Sequence, residues 1–292
     1  MLKTDPANDT FEFDFTQDDF EHLRKMVTDH TGIQLPDNKK TLMYTRLVRR
    51  LRSLNLDSFK DYIRYQQQQI KADNTKELMI MVNAMTTNVT DFFREQHHFK
   101  HFFETVPALL EEHKKIKIWC CAASTGEEPW TIAMVSKRLM EKFPGTSIEI
   151  TATDIDENVL KTAQTGIYQV DQSVIAGNPF MKRFLKEIEG ESEGKILANH
   201  KTYQINPDLK KMVTFKKLNL IKQPWPLSEK MFHVVFCRNV IIYFSKETQK
   251  ELFTHISSRM PSGSLLYIGH SESLINVSTD YDNIGRTTYR KQ

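Results

Sequence analysis

The sequence predicts an α/β protein: a mostly parallel sheet with helices on both faces, behind a small all-helical domain and interrupted by an inserted β-subdomain. Three observations carry this. From Ile116 onward, short apolar runs rich in β-branched residues alternate with stretches of helical spacing, the pattern of a parallel sheet with crossover helices. Before residue 86 only the helical spacing occurs. Between 166 and 211 the alternation breaks at Gly166, Gly177, Gly190 and Gly194 and gives way to short strand-like runs. The expected organisation is a helical domain over 1–85, a linker over 86–94 and an α/β domain over 95–292, with the insert at about 166–211.

Thr16 with Asp19 makes a capping box, Phe20, Leu23, Met26 and Val27 share one face of the first helix, and Gly32 stops it. A second helix runs from about Asn38 to Leu54. Asp57 or Ser58 opens a third, carrying Phe59, Tyr62 and Ile63, and Thr75 opens a fourth with Leu78, Met79 and Val82. Residues 86–94 break the pattern and lead into a helix with Phe99, Phe102, Phe103 and Val106 on its buried side. Strands are expected at 116–121, 147–153, 212–216, 232–237, 264–268 and 286–290, and helices at 129–141, 156–164 and 246–259. The insert holds a helical piece from Phe180 to Ile188 and a hairpin built from Lys195–Ala198 and Lys201–Ile205.

The most informative stretch runs from Ile116 to Met134. A short apolar strand is followed by small residues and Gly126, then Glu127, Glu128 and Pro129, then apolar residues at helical spacing. This reads as strand, tight turn and helix, with Pro129 in the first turn, where its missing N–H costs nothing. Small side chains let a ligand lie against the turn. The two glutamates argue against a phosphate, which a helix N-terminus otherwise welcomes, and suit hydroxyls or a positive charge. The next strand, Ser147–Thr153, ends at Asp154-Ile155-Asp156. A carboxylate at that position in a nucleotide-binding βαβ unit accepts hydrogen bonds from ribose hydroxyls. The three-glycine dinucleotide fingerprint is missing, which disfavours a pyrophosphate ligand and favours S-adenosylmethionine. An ordinary crossover with a capping Asp remains the alternative at this point.

Composition is that of a soluble globular protein, and a net charge of +3 over 292 residues implies no general affinity for polyanions. The distribution is uneven. Residues 38–56 carry Lys39, Lys40, Arg46, Arg49, Arg50 and Arg52 with no acid, whereas residues 1–37 hold nine acids and three bases. Cys120, Cys121 and Cys237 give no disulfide framework, which points to a reducing compartment. The N-terminus lacks an apolar signal core and no run is long enough to span a membrane, so a cytoplasmic protein without membrane insertion is expected. Monomer is the default.

Five separated motifs now combine: Thr87-Asn88-Val89-Thr90-Asp91-Phe92-Phe93-Arg94, Ser124-Thr125-Gly126-Glu127-Glu128-Pro129, Ala152-Thr153-Asp154-Ile155-Asp156, Phe236-Cys237-Arg238-Asn239-Val240-Ile241-Ile242-Tyr243-Phe244 and Gly269-His270-Ser271-Glu272-Ser273. In this order, behind a helical domain with a basic second helix, the chain closely resembles the chemotaxis receptor methyltransferases, the CheR family. The resemblance implies a Rossmann-like S-adenosylmethionine-dependent methyltransferase domain that esterifies glutamate side chains of methyl-accepting receptors and releases S-adenosylhomocysteine. It implies no metal. Asn88, Thr90 and Arg94 would cover the methionine end of the cofactor, Glu128 its ammonium or neighbouring polar atoms, and Asp154 its ribose. Asn219 and Leu220 would flank the adenine, Arg238 and Asn239 would end a strand at the pocket, and Tyr243 would lie near the transferred methyl. Trp130 stands where the family pattern suggests tyrosine.

A carboxylate nucleophile is already ionised at neutral pH, so no general base is required. Alignment and removal of water are the main tasks. Arg94 fits as a clamp for the incoming carboxylate, with Tyr243 bonding the same group or packing on the methyl. A hydrolase reading of Gly269–Ser273 fails because no histidine follows His270. His97, His98 and His101 read as helix-surface residues rather than metal ligands. On the second helix Lys39, Arg46, Arg49 and Arg50 share one face. The bland reading is a solvated face; docking of a glutamate-rich receptor helix is the sharper one. Nucleic acid is not expected at a net charge of only +3. The insert could also take up a receptor C-terminal tail peptide as an added strand, as it does in some family members. The competing functional class is a catalytically silent adaptor that keeps the cofactor pocket.

Overall fold

Thr16 opens the first helix as a capping box requires: its hydroxyl accepts the Asp19 N–H at 3.1 Å while the Asp19 carboxylate accepts the Thr16 N–H at 3.0 Å. The computed structural model describes residues 12–86, 89–189, 199–228 and 231–292. The chain divides into two compact units, Met1–Thr87 and Asn88–Gln292.

The first unit consists of α1 (Gln17–Thr31), α2 (Lys40–Ser53), α3 (Phe59–Lys71) and α4 (Lys76–Met85). Phe20, Leu23, Met43, Leu51, Phe59 and Met81 are fully buried among them. Gly32 ends α1 in the left-handed conformation, at φ 73°. Two of the arginines on α2 serve this unit internally. Arg50 makes a two-pronged ion pair with buried Glu77, at 2.7 Å on each arm, and Tyr62 donates to the same carboxylate. Arg46 donates to the carbonyls of Ala84 and Thr86 at 2.6 and 3.0 Å, where the end of α4 presents unpaired acceptors and a partial negative charge. The basic face expected to be uniform is therefore divided: Arg46 and Arg50 are structural partners, whereas Arg49 is exposed and Lys39 half-exposed.

The second unit opens with α5 (Gln96–His113) and then alternates: β1 (Lys115–Cys120), α6 (Glu127–Lys142), β2 (Ser147–Asp154), α7 (Glu157–Thr165). The insert follows, with β3 (Ile167–Asp171), α8 (Gln172–Gly177), α9 (Pro179–Phe184), β4 (Leu185–Glu187), β5 (His200–Ile205) and α10 (Pro207–Lys210). Next come β6 (Val213–Lys217), β7 (Val234–Cys237), α11 (Lys246–Ser258), β8 (Leu265–Ile268), β9 (Tyr281–Gly285) and β10 (Thr288–Lys291). The main sheet runs β6-β2-β1-β7-β8-β10-β9. Its first five strands are parallel and β10 and β9 are antiparallel additions. The chain moves from β1 outward to β2 and β6, then returns to β7 on the other side of β1. That reversal opens a crevice at the carboxyl ends of the strands, the usual ligand position in such sheets. Among the described residues no helix is long and apolar enough to cross a membrane.

Two details of the insert differ from expectation. Helix α9 stops at Phe184, so the piece expected to run to Ile188 is helical only in its first half. Leu185–Glu187 instead pairs antiparallel with β5, and Ile188 donates to the Thr202 carbonyl, so the ladder satisfies backbone groups that a longer helix would otherwise use. Strand β3 was not anticipated. Its alternation is short, with Tyr168 and Val170 inward, and its partner β5 lies more than 30 residues later. The expected strand Lys195–Ala198 lies outside the described residues. The small sheet is β3-β5-β4.

Candidate active site

The carboxyl ends of β1, β2, β7 and β8 gather most of the residues singled out from the sequence. After β1 the chain turns through Ser124, at φ 48°, and Gly126, at φ 103°, into α6. A Cβ on Gly126 would stand 2.6 Å from the Tyr168 hydroxyl and 2.7 Å from the Ala163 side chain. Only glycine fits both the angle and the space. Tyr168, from the insert, donates to the Thr125 carbonyl at 2.7 Å and packs edge-on against Phe92, so the insert helps to hold this turn. Trp130, the departure from the family pattern, is buried and donates to the Ala163 carbonyl at 3.1 Å, which gives it a packing role.

Asp154 ends β2 facing this turn. One carboxylate oxygen accepts the Ser124 N–H at 2.8 Å and the other the Asp156 N–H at 3.0 Å. Each oxygen keeps a lone pair for a further donor, which fits a pair of ribose hydroxyls. Burial pushes the Asp154 carboxyl above its usual range, against the backbone hydrogen bonds that lower it. The Asp154 carbonyl accepts the Leu218 N–H at 2.9 Å, which ties the Asn219–Leu220 turn to the same strand end. Asn219 caps that turn by accepting the Ile221 N–H at 3.1 Å, and its carbonyl accepts Trp225 Nε1 at 3.2 Å. Leu220 is buried.

Arg238, at the end of β7, is the hub of the site. Its side chain is fully buried. It donates to Glu128 at 2.5 Å and to the Arg94 carbonyl at 2.6 Å, lies 3.2 Å from the Glu95 carboxylate, and sits over the Phe99 ring. Three segments distant in sequence meet on one guanidinium. Among the described residues the second Glu128 oxygen meets the Cys120 thiol, a weak donor, at 3.3 Å, and it keeps capacity for an ammonium group. Arg94 lies between Phe93 and Glu95, both with φ at 57°, a conformation in which two non-glycine residues fix the direction of the side chain between them. One Arg94 nitrogen donates to the Val89 carbonyl at 2.9 Å. Its other nitrogens have no partner among the described residues. Thr90 is half-buried, and Asn88 lies outside the described residues. Tyr243 is half-buried at the end of the single turn Ile241–Tyr243.

Sequence reading missed Glu95, His270 and Glu272 as working parts. Glu95 accepts from His270 Nδ1 at 2.8 Å and from Asn239 at 3.3 Å. Burial would raise its carboxyl, but the His270 hydrogen bond and the Arg238 charge prevail and hold it at about 2. The available signal was its place directly after Arg94, the last residue of the first motif. The histidines also need correction. His98 is fully buried, not a surface residue, and bonds the Arg286 carbonyl and the Thr287 hydroxyl at 3.1 and 3.0 Å. His101 bonds the Tyr267 hydroxyl at 2.9 Å. Burial, with Arg238 and His97 nearby, pushes His98 down to about 3 and keeps it neutral. Glu95, His97 and His98 bring possible metal-ligand atoms within 4.8 Å of one another, but the Arg238 guanidinium already engages that carboxylate. Cys120, Cys121 and Cys237 are free thiols in the core.

Comparison with known proteins identifies the assembly. Residues 88–290 match the family model described as CheR methyltransferase, SAM binding domain, and residues 18–86 match CheR methyltransferase, all-alpha domain. The chain is 35% identical over 278 residues to chemotaxis protein methyltransferase 2 of Pseudomonas aeruginosa, covering 95% of this chain and 94% of that one. It is 34% identical to the chemotaxis protein methyltransferase of Salmonella typhimurium, covering 92% and 88% of the two chains, and 33% identical to that of Escherichia coli, covering 92% and 89%. Matched along nearly its whole length, this chain belongs to the CheR family of S-adenosylmethionine-dependent methyltransferases.

Proposed function

We propose that the protein methylates glutamate side chains in the cytoplasmic helical region of chemotaxis receptors, forming glutamate methyl esters. The observation that carries this reading is the family match over both units, joined to strand ends that bring Glu128, Arg238 and the backbone of Arg94 together. When bound, S-adenosylmethionine supplies a methyl carbon on a positively charged sulfur. Asp154 would hold the ribose, the Asn219–Leu220 turn the adenine, and Glu128 the ammonium, with Asn88 and Thr90 covering the methionine end. Arg238 and Asn239 shape the pocket floor. Arg94, with donors left over from its bond to Val89, would orient the incoming carboxylate, and Tyr243 would close on the reacting groups. A bidentate arginine fixes a carboxylate in plane better than a point charge can. The direct test is transfer of labelled methyl to receptor-containing membranes; base-labile label on receptor glutamates is expected, and its absence would overturn the reading.

Receptor docking is proposed for the exposed part of the basic helix. Because Arg46 and Arg50 are committed within their own unit, Lys39 and Arg49 are the residues to change. Lys39→Glu with Arg49→Glu is expected to raise the KM for receptor several-fold at low salt without altering S-adenosylmethionine affinity. The effect should shrink at high salt, as exposed charges are screened over about 8–10 Å. Equal KM at low salt would return this face to solvent.

A second receptor contact is proposed for the insert. Among the described residues β3 and β4 are the outer strands of its small sheet, and an extended receptor-tail peptide could add to either edge. Calorimetry with a tail peptide ending in tryptophan- and phenylalanine-containing sequence should give micromolar binding. Absence of binding at millimolar peptide would place the protein among the untethered family members.

A further inference from the structure

The motif Gly269-His270-Ser271-Glu272-Ser273 has no part in the chemistry above, yet it touches two of the segments that carry it, Glu95 beside Arg94 and the stretch from Asn239 to Ile242. The Glu272 carboxylate, buried to 5% exposure, accepts four backbone N–H groups. One oxygen takes Gly269 at 2.5 Å and Asn239 at 3.0 Å; the other takes Ile241 at 3.0 Å and Ile242 at 3.3 Å. Ile241 and Ile242 are the two residues before Tyr243. On the far side of the same turn, Gln249 of α11 donates to the carbonyls of Ile241 and Phe244 at 2.8 and 3.0 Å. The backbone around Tyr243 is thus held from both sides by side chains.

A second tie comes from His270. Its side chain is 63% exposed, but Nδ1 reaches the Glu95 carboxylate at 2.8 Å. An ionised carboxylate only accepts, so Nδ1 donates, in the neutral Nδ1–H tautomer as in the imidazolium. The same Glu95 oxygen accepts Asn239 Nδ2 at 3.3 Å, and the other lies 3.2 Å from Arg238. Asn239 adopts φ 56°, a left-handed position that asparagine tolerates better than most residues. Space leaves no slack: a Cβ on Gly269 would meet Asn239 Nδ2 at 2.5 Å and Glu272 at 2.9 Å.

We infer that the Gly269–Ser273 loop is the positioning bracket of the methyl-transfer site: Glu272 gathers the N–H groups of the Arg238–Tyr243 segment, and His270 latches the loop to Glu95, next to Arg94. Glu272, His270 and Glu95 are positioning residues. They act on Arg238, Asn239 and Tyr243, and through Glu95 on the backbone that carries Arg94. The inference rests on the methyl-transfer reading of the site. Small displacements of aligned groups cost large factors in rate, so a bracket of this kind shows in turnover before it shows in cofactor binding.

His270 is the residue to test, because its exposure makes a folding defect a poor explanation of any loss. His270→Ala is expected to lower kcat roughly tenfold with KM for receptor and calorimetric S-adenosylmethionine affinity nearly unchanged. His270→Asn, whose Nδ2 can replace Nδ1 as donor, should recover most of the loss. Hydrogen exchange of the 238–244 amides, measured without substrate, should quicken in the alanine variant and return toward wild type in the asparagine variant. That readout separates the bracket from the assignment of the substrate: a wild-type enzyme inactive on receptors would fail the proposed function, while the exchange pattern still decides the bracket. Glu272→Gln, which turns an amide donor toward backbone donors, should lose more activity than His270→Ala if it folds. Wild-type exchange and kcat in His270→Ala would overturn the inference. So would a loss that asparagine does not repair, or one matched by weaker cofactor binding.

Discussion

Arg94→Ala is expected to lower kcat for receptor methylation by about two to three powers of ten, the scale found when an oriented charge is removed from a water-excluded site, while S-adenosylmethionine affinity changes little. The expectation follows from how the side chain is presented. Phe93 and Glu95 hold left-handed backbone on either side of it, Val89 takes one donor, and the remaining nitrogens have no partner among the described residues. The Arg94 carbonyl bonds Arg238 and survives any substitution, so the hub of the site should persist in the variant. Arg94→Lys should recover little, since an ammonium lacks the planar fork that aligns a carboxylate. Stopped-time label transfer at saturating cofactor, with calorimetry on the same preparation, checks both halves. A variant with near wild-type kcat would remove Arg94 from the reaction.

Asp154→Ala is expected to weaken S-adenosylmethionine and S-adenosylhomocysteine alike, by roughly 2–3 kcal/mol, the range for charge-assisted hydrogen bonds lost from a buried site. Asp154 also holds the Ser124 and Asp156 N–H groups, so the alanine variant disturbs the turn as well as the ribose contact. Asp154→Asn keeps the size but turns an amide donor toward the Ser124 or the Asp156 N–H, so it too should weaken both ligands. Because burial holds this carboxyl above its ordinary value of 3.8, wild-type affinity should begin to fall at a higher pH than an exposed aspartate would give. Isothermal calorimetry across that acid limb measures both effects. Unchanged affinity in a folded alanine variant would displace Asp154 from the cofactor site.

Much of the fold, and the strand ends that carry the proposed cofactor residues, could be read directly from the sequence, because their signals are local. Thr16 and Asp19 are three residues apart, and so define a cap within one turn of chain. Gly126, Glu128 and Pro129 lie together at a strand-to-helix turn, and Asp154 marks the end of the next strand by its position alone. The insert was less legible. Its strands are three to six residues long, too short for alternation to stand out, and β3 acquires its meaning only by pairing with β5.

The sequence by itself determined the two-part organisation, the parallel sheet, the family and the carboxylate proposed for the ribose, since each is written in spacing over a few turns of chain. Only the tertiary structure decided what the charged side chains do. Arg46 and Arg50 share a helical face with Arg49, yet α4 supplies their partners from 27 to 40 residues away. His98 has the spacing of a surface histidine until Arg286 and Thr287, nearly 190 residues later, close over it. Glu95, Arg238 and Glu272 become one arrangement because β7 and β8 end side by side beneath the start of α5. A buried charge is stable only where partners replace water, and those partners come from whichever strand ends the fold brings together, a juxtaposition that no local pattern records.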